Sequence, residues 1–140
     1  MKVMNKEEFL LDMLDYYTVD PEGRRCRSEA GYYYSPETIG KTTSEGCAIG
    51  RKLDREFANK LDKEYHGGVS ISNQLLKDHP NFPEYMYKFD MNFLRMCQEL
   101  HDRKYNWDFD FTGLSTVGKT LVKDIIERFN LDKSKFEKYL

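Results

Sequence analysis

The sequence is poor in cysteine, shows no excess of charge of one sign and contains no long apolar run. Three cysteines at wide spacing do not suit the disulfide framework of a secreted domain, so a reducing, cytoplasmic environment is expected. The 22 Lys and Arg residues stand against 24 Asp and Glu residues, and the net charge of −2 gives no general field for binding duplex DNA. The segment MKVMNKEEFLLDMLD interrupts its apolar run with acidic residues, so neither a signal peptide nor a membrane span is expected.

The apolar residues that are present suffice for one hydrophobic core. With 140 residues, 39% of them hydrophobic, the chain has the size and composition of a single soluble domain over residues 1–140. Apolar spacing predicts a mainly helical α+β fold, with about five helices around a long central helix. A Tyr-rich, Thr-rich and Gly-punctuated stretch predicts a small antiparallel hairpin near residues 24–50.

Individual helices are predicted from their caps and apolar stripes. Asn5 and Glu8 form a capping-box pattern ahead of a helix that continues to about Thr18. Ser70 or Ser72 is a candidate cap for a short helix. The longer helices are predicted over residues 51–65, over residues 83–105 as the central helix, and after Gly113, while Trp107, Phe109 and Phe111 alternate as in a half-buried strand.

The segment GLSTVGKT, residues 113–120, fits the phosphate-loop pattern G-x-x-x-x-G-K-[ST]. Such a loop requires a parallel sheet, for which the chain offers too few apolar strands. The spacing of the apolar residues instead predicts a helix whose N-cap is Ser115 or Thr116. Lys119 and Thr120 then face solvent. The predicted stripe comprises Leu114, Val117, Leu121, Ile125 and Phe129.

One alternative for the chemistry is a zinc site. Cys97 and His101 are four residues apart on one predicted helical face, and Cys26 and Cys47 would complete a set of three cysteines and one histidine. The short C-x₂₋₄-C spacing of zinc knuckles is absent, and a cysteine within an apolar stripe is commonly a core residue. The sequence therefore favours no bound metal and no cofactor.

A second alternative is cysteine-dependent hydrolysis. Cys47 precedes a predicted helix whose N-terminus would stabilise a thiolate, with His101 as the base and Asp102 or Asn106 orienting it. The structural interpretation is that Cys47 packs at a tight junction while His101 makes a buried hydrogen bond.

The third alternative is a binding pocket for a phosphate-bearing ligand. The candidate residues combine arginines, an aromatic face and the amides at a helix start, all of which suit a nucleotide. Pairing of these arginines with nearby glutamates is the competing interpretation. The candidates are Arg24, Arg25, Arg27, Tyr33, Gly50 and Arg51.

Four segments carry a resemblance to a known group of proteins. They are GCAIGRKL at 46–53, FLRMCQELHD at 93–102, Trp107, and GLSTVGKTLVKDIIERFNL at 113–131. In this order they resemble a family of small bacterial and phage proteins with a C-A-[IV]-G segment, an L-Q-x-[IL]-H-D segment, a tryptophan and a final helix beginning near G-L-S. The resemblance implies a phage or mobile-element setting and no particular activity. It also implies an aliphatic residue at the position of Cys97, which disfavours zinc.

Together these observations predict a non-enzymatic binding protein of a bacterial cytoplasm. The expected partner is a host defence protein or a small phosphate-bearing nucleotide, as for a phage accessory or counter-defence factor. Neither an extended nucleic-acid surface nor a membrane contact is expected, and an oligomer is compatible with the sequence. Binding of a protein, rather than a nucleotide, predicts a large exposed aromatic patch on the surface.

Overall fold

The computed structural model describes residues 4–21, 47–65, 70–108 and 113–140, which are mainly helical with one small antiparallel strand pair. This confirms the predicted mainly helical α+β class. The helices are α1 (Lys6–Tyr17), α2 (Arg55–Glu64), α3 (Asn73–Asp78), α4 (Glu84–Lys88), α5 (Met91–Asp102) and α6 (Thr116–Arg128). The 3₁₀ turns are Gly50–Lys52, Lys104–Asn106 and Lys133–Tyr139, and the strands are β1 (Trp107–Asp108) and β2 (Gly113–Leu114).

The predicted helix caps are present where local sequence specified them. The amide of Glu8 donates to Asn5 Oδ1 at 2.8 Å and the amide of Asn5 donates to Glu8 Oε1 at 3.1 Å, which completes the capping box of α1. Ser72 caps α3 by accepting from the amide of Leu75 at 3.1 Å. Ser115 caps α6, so residues 116–120 are helical as predicted.

The predicted long helix over residues 83–105 is wrong as a single element, because it is divided into α4 and α5. Phe89 is extended between them with ψ of 146°, and Asp90 restarts the helix by accepting from the amide of Asn92 at 2.8 Å. The apolar stripe continues across the break, since Phe89 packs on Phe9 with ring centroids 5.7 Å apart. The apolar residues therefore keep a helical spacing across a point at which the helix itself is interrupted.

The core lies where α1, α5 and α6 meet. The ring of Phe93 packs edge-on against Phe9 at 5.9 Å and against Phe129 at 5.4 Å, which joins the three helices through one aromatic cluster. Tyr17, fully buried at the end of α1, packs on Trp107 at 6.1 Å. Because its apolar face packs against both α1 and the end of α6, α5 is the central helix.

The strand pair that the structure describes follows α5. Trp107 pairs with Leu114 and Asp108 with Gly113 in antiparallel register. Residues 24–46 of the hairpin predicted near residues 24–50 lie outside the described residues, as do Phe109 and Phe111. In the described part of the chain, no helix combines the length and the apolar character that crossing a bilayer requires.

Candidate functional site

The predicted phosphate site is described only at its edge. Arg24, Arg25, Arg27 and Tyr33 lie outside the described residues, whereas Gly50 is buried. Arg51 is half-buried and its Nη1 lies 2.7 Å from Asp12 Oδ2, so this guanidinium is bound within the protein.

Asp12 forms ion pairs with two basic residues of the 3₁₀ turn that follows Cys47. Besides Arg51, the ammonium of Lys52 donates to the same carboxylate oxygen. The guanidinium of Arg51 also lies over the Tyr16 ring, 4.0 Å from its centroid. Burial alone would raise the pKa of Asp12, but the hydrogen bonds from Arg51 and Lys52 outweigh it and lower that pKa. These contacts attach the turn to α1.

The residues of the hydrolase alternative are linked through Gln98. The amide of Ile49 donates to Gln98 Oε1 at 3.3 Å, and Gln98 Nε2 donates to Asp102 Oδ1 at 2.9 Å. Asp102 Oδ1 lies 2.7 Å from His101 Nδ1, the contact expected of a carboxylate that orients a histidine. The structure thus connects the Cys47 segment with His101 and Asp102.

Burial limits what this network can do chemically. Cys47 is 2% exposed and His101 is 0% exposed, so neither presents its reactive atom to a substrate in this structure. The amide of Gly50 donates to Cys47 Sγ at 3.2 Å, but Gly50 begins a 3₁₀ turn and α2 starts only at Arg55, so the sulfur does not lie at the N-terminus of an α-helix. The arrangement resembles a buried hydrogen-bond network more than an open active site.

The zinc alternative involves one residue outside the described chain, Cys26. Cys97 is fully buried in the core, and burial raises the pKa of its thiol well above the ordinary value, which opposes the thiolate that zinc requires. Among the described residues, no three His, Cys, Asp or Glu side chains form a group that could hold a metal ion.

Helix α6, which contains most of the phosphate-loop pattern, buries a different face from the one that the predicted apolar stripe indicates. Val117, predicted to face the core, is 52% exposed, and Gly118 is buried in its place. The cause is a backbone contact, because a Cβ on Gly118 would lie only 2.0 Å from the carbonyl oxygen of Asn106. Thr120 is exposed as predicted, while Lys119 is half-buried.

This orientation of α6 leaves an open groove of about 510 Å³ between the end of α5 and the start of α6, which we call the Tyr105 groove. Tyr105, on the 3₁₀ turn, is 58% exposed and lies at this groove together with Val117. They are two of the four large hydrophobic residues that are exposed in the described chain, the others being Val19 and Tyr87. The groove is lined by Glu99, Tyr105, Asn106, Val117, Thr120, Leu121 and Asp124.

Hydrogen bonds hold the turn that carries Tyr105. The Ser115 hydroxyl donates to the carbonyl of Tyr105, and the Ser115 amide donates to the carbonyl of Asn106 at 2.9 Å. Asn106 Nδ2 donates to the carbonyls of Glu99 at 3.2 Å and Leu100 at 3.3 Å, which terminates α5. The exposed ring is therefore mounted on a fixed backbone.

A second cleft, of about 590 Å³, lies on the other side of Glu99. Arg95 and Arg103 line it, but Glu99 and Asp102 line it too, so its formal charge is balanced. Arg95 Nε already donates a hydrogen bond to the carbonyl of Ile71 at 3.3 Å. This balance gives a phosphate no electrostatic preference for the cleft.

Sequence reasoning missed the Tyr105 groove because no local pattern specifies it. The available signal was Gly118 itself, a glycine one turn inside a predicted helix, where it weakens the helix unless close packing requires it. Comparison of the chain with protein-family models, with curated proteins and with solved structures gives no match.

Proposed function

We propose that this protein is a non-enzymatic binding factor that docks a partner protein in the Tyr105 groove. The observation that carries the proposal is the pairing of two exposed large hydrophobic residues, Tyr105 and Val117, on one open groove. Exposed apolar side chains that are grouped mark interaction sites, whereas single ones are ordinary. Tyrosine is also a frequent anchor at protein interfaces.

The fixed backbone under Tyr105 supports the same function. Ser115 holds the carbonyl of Tyr105, and Asn106 is bound to the end of α5. A backbone that is already fixed at the anchor residue loses less conformational entropy when a partner docks. The turn is thus organised for binding before the partner arrives.

The sequence resemblance suggests which partner to expect. In the phage or mobile-element setting that it implies, the partner is a host protein and the chain is an accessory or counter-defence factor of the bacterial cytoplasm. The nucleotide-binding form of the prediction depends on Arg24, Arg25, Arg27 and Tyr33, and the internal pairing of Arg51 with Asp12 does not favour it. No specific observation favours hydrolysis by Cys47, which is buried together with His101.

Site-specific photo-crosslinking in bacterial cells tests the proposal. Benzoylphenylalanine replaces Val117 in one variant and Val19, which is 58% exposed and does not line the groove, in the control. We expect a discrete adduct above 16.7 kDa from position 117 alone. Tyr105→Ala should weaken this adduct about tenfold, as for an interface anchor, whereas Tyr87→Ala should not. Equal adducts from both positions, no adduct from position 117, or indifference to Tyr105→Ala would contradict the proposal.

A further inference from the structure

The charges at the Tyr105 groove are of one sign. Glu99 and Asp124 are exposed and contribute two carboxylates, and no described residue that lines the groove is a cation. Of the described residues, Arg128 approaches Asp124, with 3.9 Å between Nη2 and Oδ2 and both side chains more than half exposed. Such an exposed pair is weak, so both carboxylates are accessible to a positively charged ligand.

The uncharged polar groups at the groove are also mainly acceptors. The carbonyls of Glu99 and Leu100 accept hydrogen bonds from Asn106 Nδ2 and fix the orientation of this amide, and its buried Oδ1 accepts no hydrogen bond from the residues that the structure describes. The hydroxyl of Thr120 donates to the carbonyl of Thr116 at 3.1 Å, which leaves its lone pairs for a ligand.

From this chemistry we infer that the segment bound in the Tyr105 groove is basic, with an apolar side chain beside Val117 and Leu121 and flanking Lys or Arg side chains at Glu99 and Asp124. The ring of Tyr105 offers a further contact to a cation. This inference rests on the proposed function and specifies the partner chemically. It also predicts that acidic segments are rejected, since like charges would meet at both carboxylates.

Three capped peptides of equal length test the inference: Lys-Lys-Leu-Leu-Lys-Lys, Gln-Gln-Leu-Leu-Gln-Gln and Glu-Glu-Leu-Leu-Glu-Glu. Each is titrated into the ¹⁵N-labelled protein, and dissociation constants are taken from amide chemical shifts. We expect the lysine peptide to shift the amides of Val117, Thr120 and Leu121 and to bind at least about fivefold more tightly than the glutamate peptide. The glutamine peptide should be intermediate, and added salt should reduce the differences.

Charge variants show whether the two carboxylates cause the preference. Glu99→Gln combined with Asp124→Asn should reduce the lysine-to-glutamate ratio to about twofold or less, because it removes both exposed charge contacts. Glu56→Gln combined with Glu127→Gln changes the net charge equally, at exposed residues that do not line the groove, and should preserve the ratio.

Several results would overturn the inference. They are absence of groove shifts with the lysine peptide, equal or tighter binding of the glutamate or glutamine peptide, and an unchanged ratio in the groove variant. Failure of the photo-crosslink with a preserved lysine preference would instead reject the proposed protein-binding function. A successful crosslink without that preference would reject only the basic character of the partner.

Discussion

Gly118 is the third residue of α6, and its Cα lies against the backbone of Asn106. A Cβ at this position would lie 2.0 Å from the Asn106 carbonyl oxygen and 2.9 Å from the carbonyl carbon. That carbonyl cannot move freely, since it accepts a hydrogen bond from the amide of Ser115 at 2.9 Å. The second glycine of the phosphate-loop pattern is therefore accounted for by packing, without any phosphate.

Replacing Gly118 tests this account at the scale of one residue. Alanine is preferred over glycine in a helix interior by about 1 kcal/mol. Despite this gain, Gly118→Ala should lower the free energy of unfolding by roughly 2 kcal/mol or more, because α6 must separate from Asn106. Urea unfolding gives the measurement. Thr120→Ala, at an exposed position of the same helix, should be nearly neutral; equal stability of the two variants would contradict the packing role.

Residues whose role is local were predictable from sequence, and residues whose role is non-local were not. The cap at Ser115 depends on the amide of Gly118 three residues ahead, which the sequence places within reach. The exposure of Val117 depends on how α6 approaches Asn106, eleven positions upstream in a separate turn. Periodicity cannot contain that information because it describes one helix alone.

At the scale of elements, the boundary between α4 and α5 shows the same limit. Tyr85 and Phe89 both pack on Phe9, with ring centroids 6.3 and 5.7 Å apart, so residues on either side of the helix end keep one apolar face. Asp90 is a residue type that caps helices and lies at the break, but the apolar stripe continues across it without interruption. An apolar stripe shows which face is buried; continuity of the backbone needs independent support.

Ser115, the N-cap of α6, makes two hydrogen bonds through its hydroxyl, and the loss of both can be tested. The Ser115 hydroxyl accepts from the amide of Gly118 at 3.1 Å and donates to the carbonyl of Tyr105. Ser115→Ala should therefore lower stability by about 1–2 kcal/mol. Ser72→Ala removes a cap alone and should lower it by about 1 kcal/mol.

Thermal and urea unfolding of both variants measure the difference between the two caps. Ser115→Thr retains the hydroxyl and should recover most of the lost stability. An equal or smaller effect of Ser115→Ala relative to Ser72→Ala would show that the bond to Tyr105 contributes little. In that case the fixed backbone proposed for the groove would lose its support.

At the scale of the whole molecule, acidic residues of α1 connect distant segments. Asp12 binds the turn at Arg51 and Lys52, while Glu7 lies 2.7 Å from Lys135 Nζ and also accepts from the amide of Asp132 at 2.7 Å. The hydrogen bond from Lys135 and that from the Asp132 amide lower the pKa of Glu7. The carboxylates of α1 thus serve as connections, a use that sequence reasoning did not assign to them.

The position of the candidate site was not predictable from the sequence. The sequence predicts a binding protein, with a large exposed aromatic patch as the sign of a protein partner, whereas Tyr105 is the one aromatic residue among the described residues that line the groove. It placed the ligand at Arg51, whose charge the fold pairs with Asp12, and it did not indicate the Tyr105 groove. Exposure and ion pairing depend on contacts between segments far apart in the chain, and a single sequence does not encode them as a pattern.

The ion pairs of Asp12 allow a prediction of how the stability of the whole fold changes in acid. Because the pKa of Asp12 is lower in the folded than in the unfolded chain, its stabilisation is complete above the unfolded pKa and is lost as pH falls through the folded pKa. Urea midpoints from pH 7 to pH 3 should therefore fall less steeply in Asp12→Asn, which is also less stable at pH 7 because Arg51 and Lys52 lose their shared partner. Glu84→Gln removes an exposed carboxylate 3.8 Å from Lys88 and should leave the slope unchanged. If Asp12→Asn retained the slope of the unmodified protein, other carboxylates would have to account for the acid response.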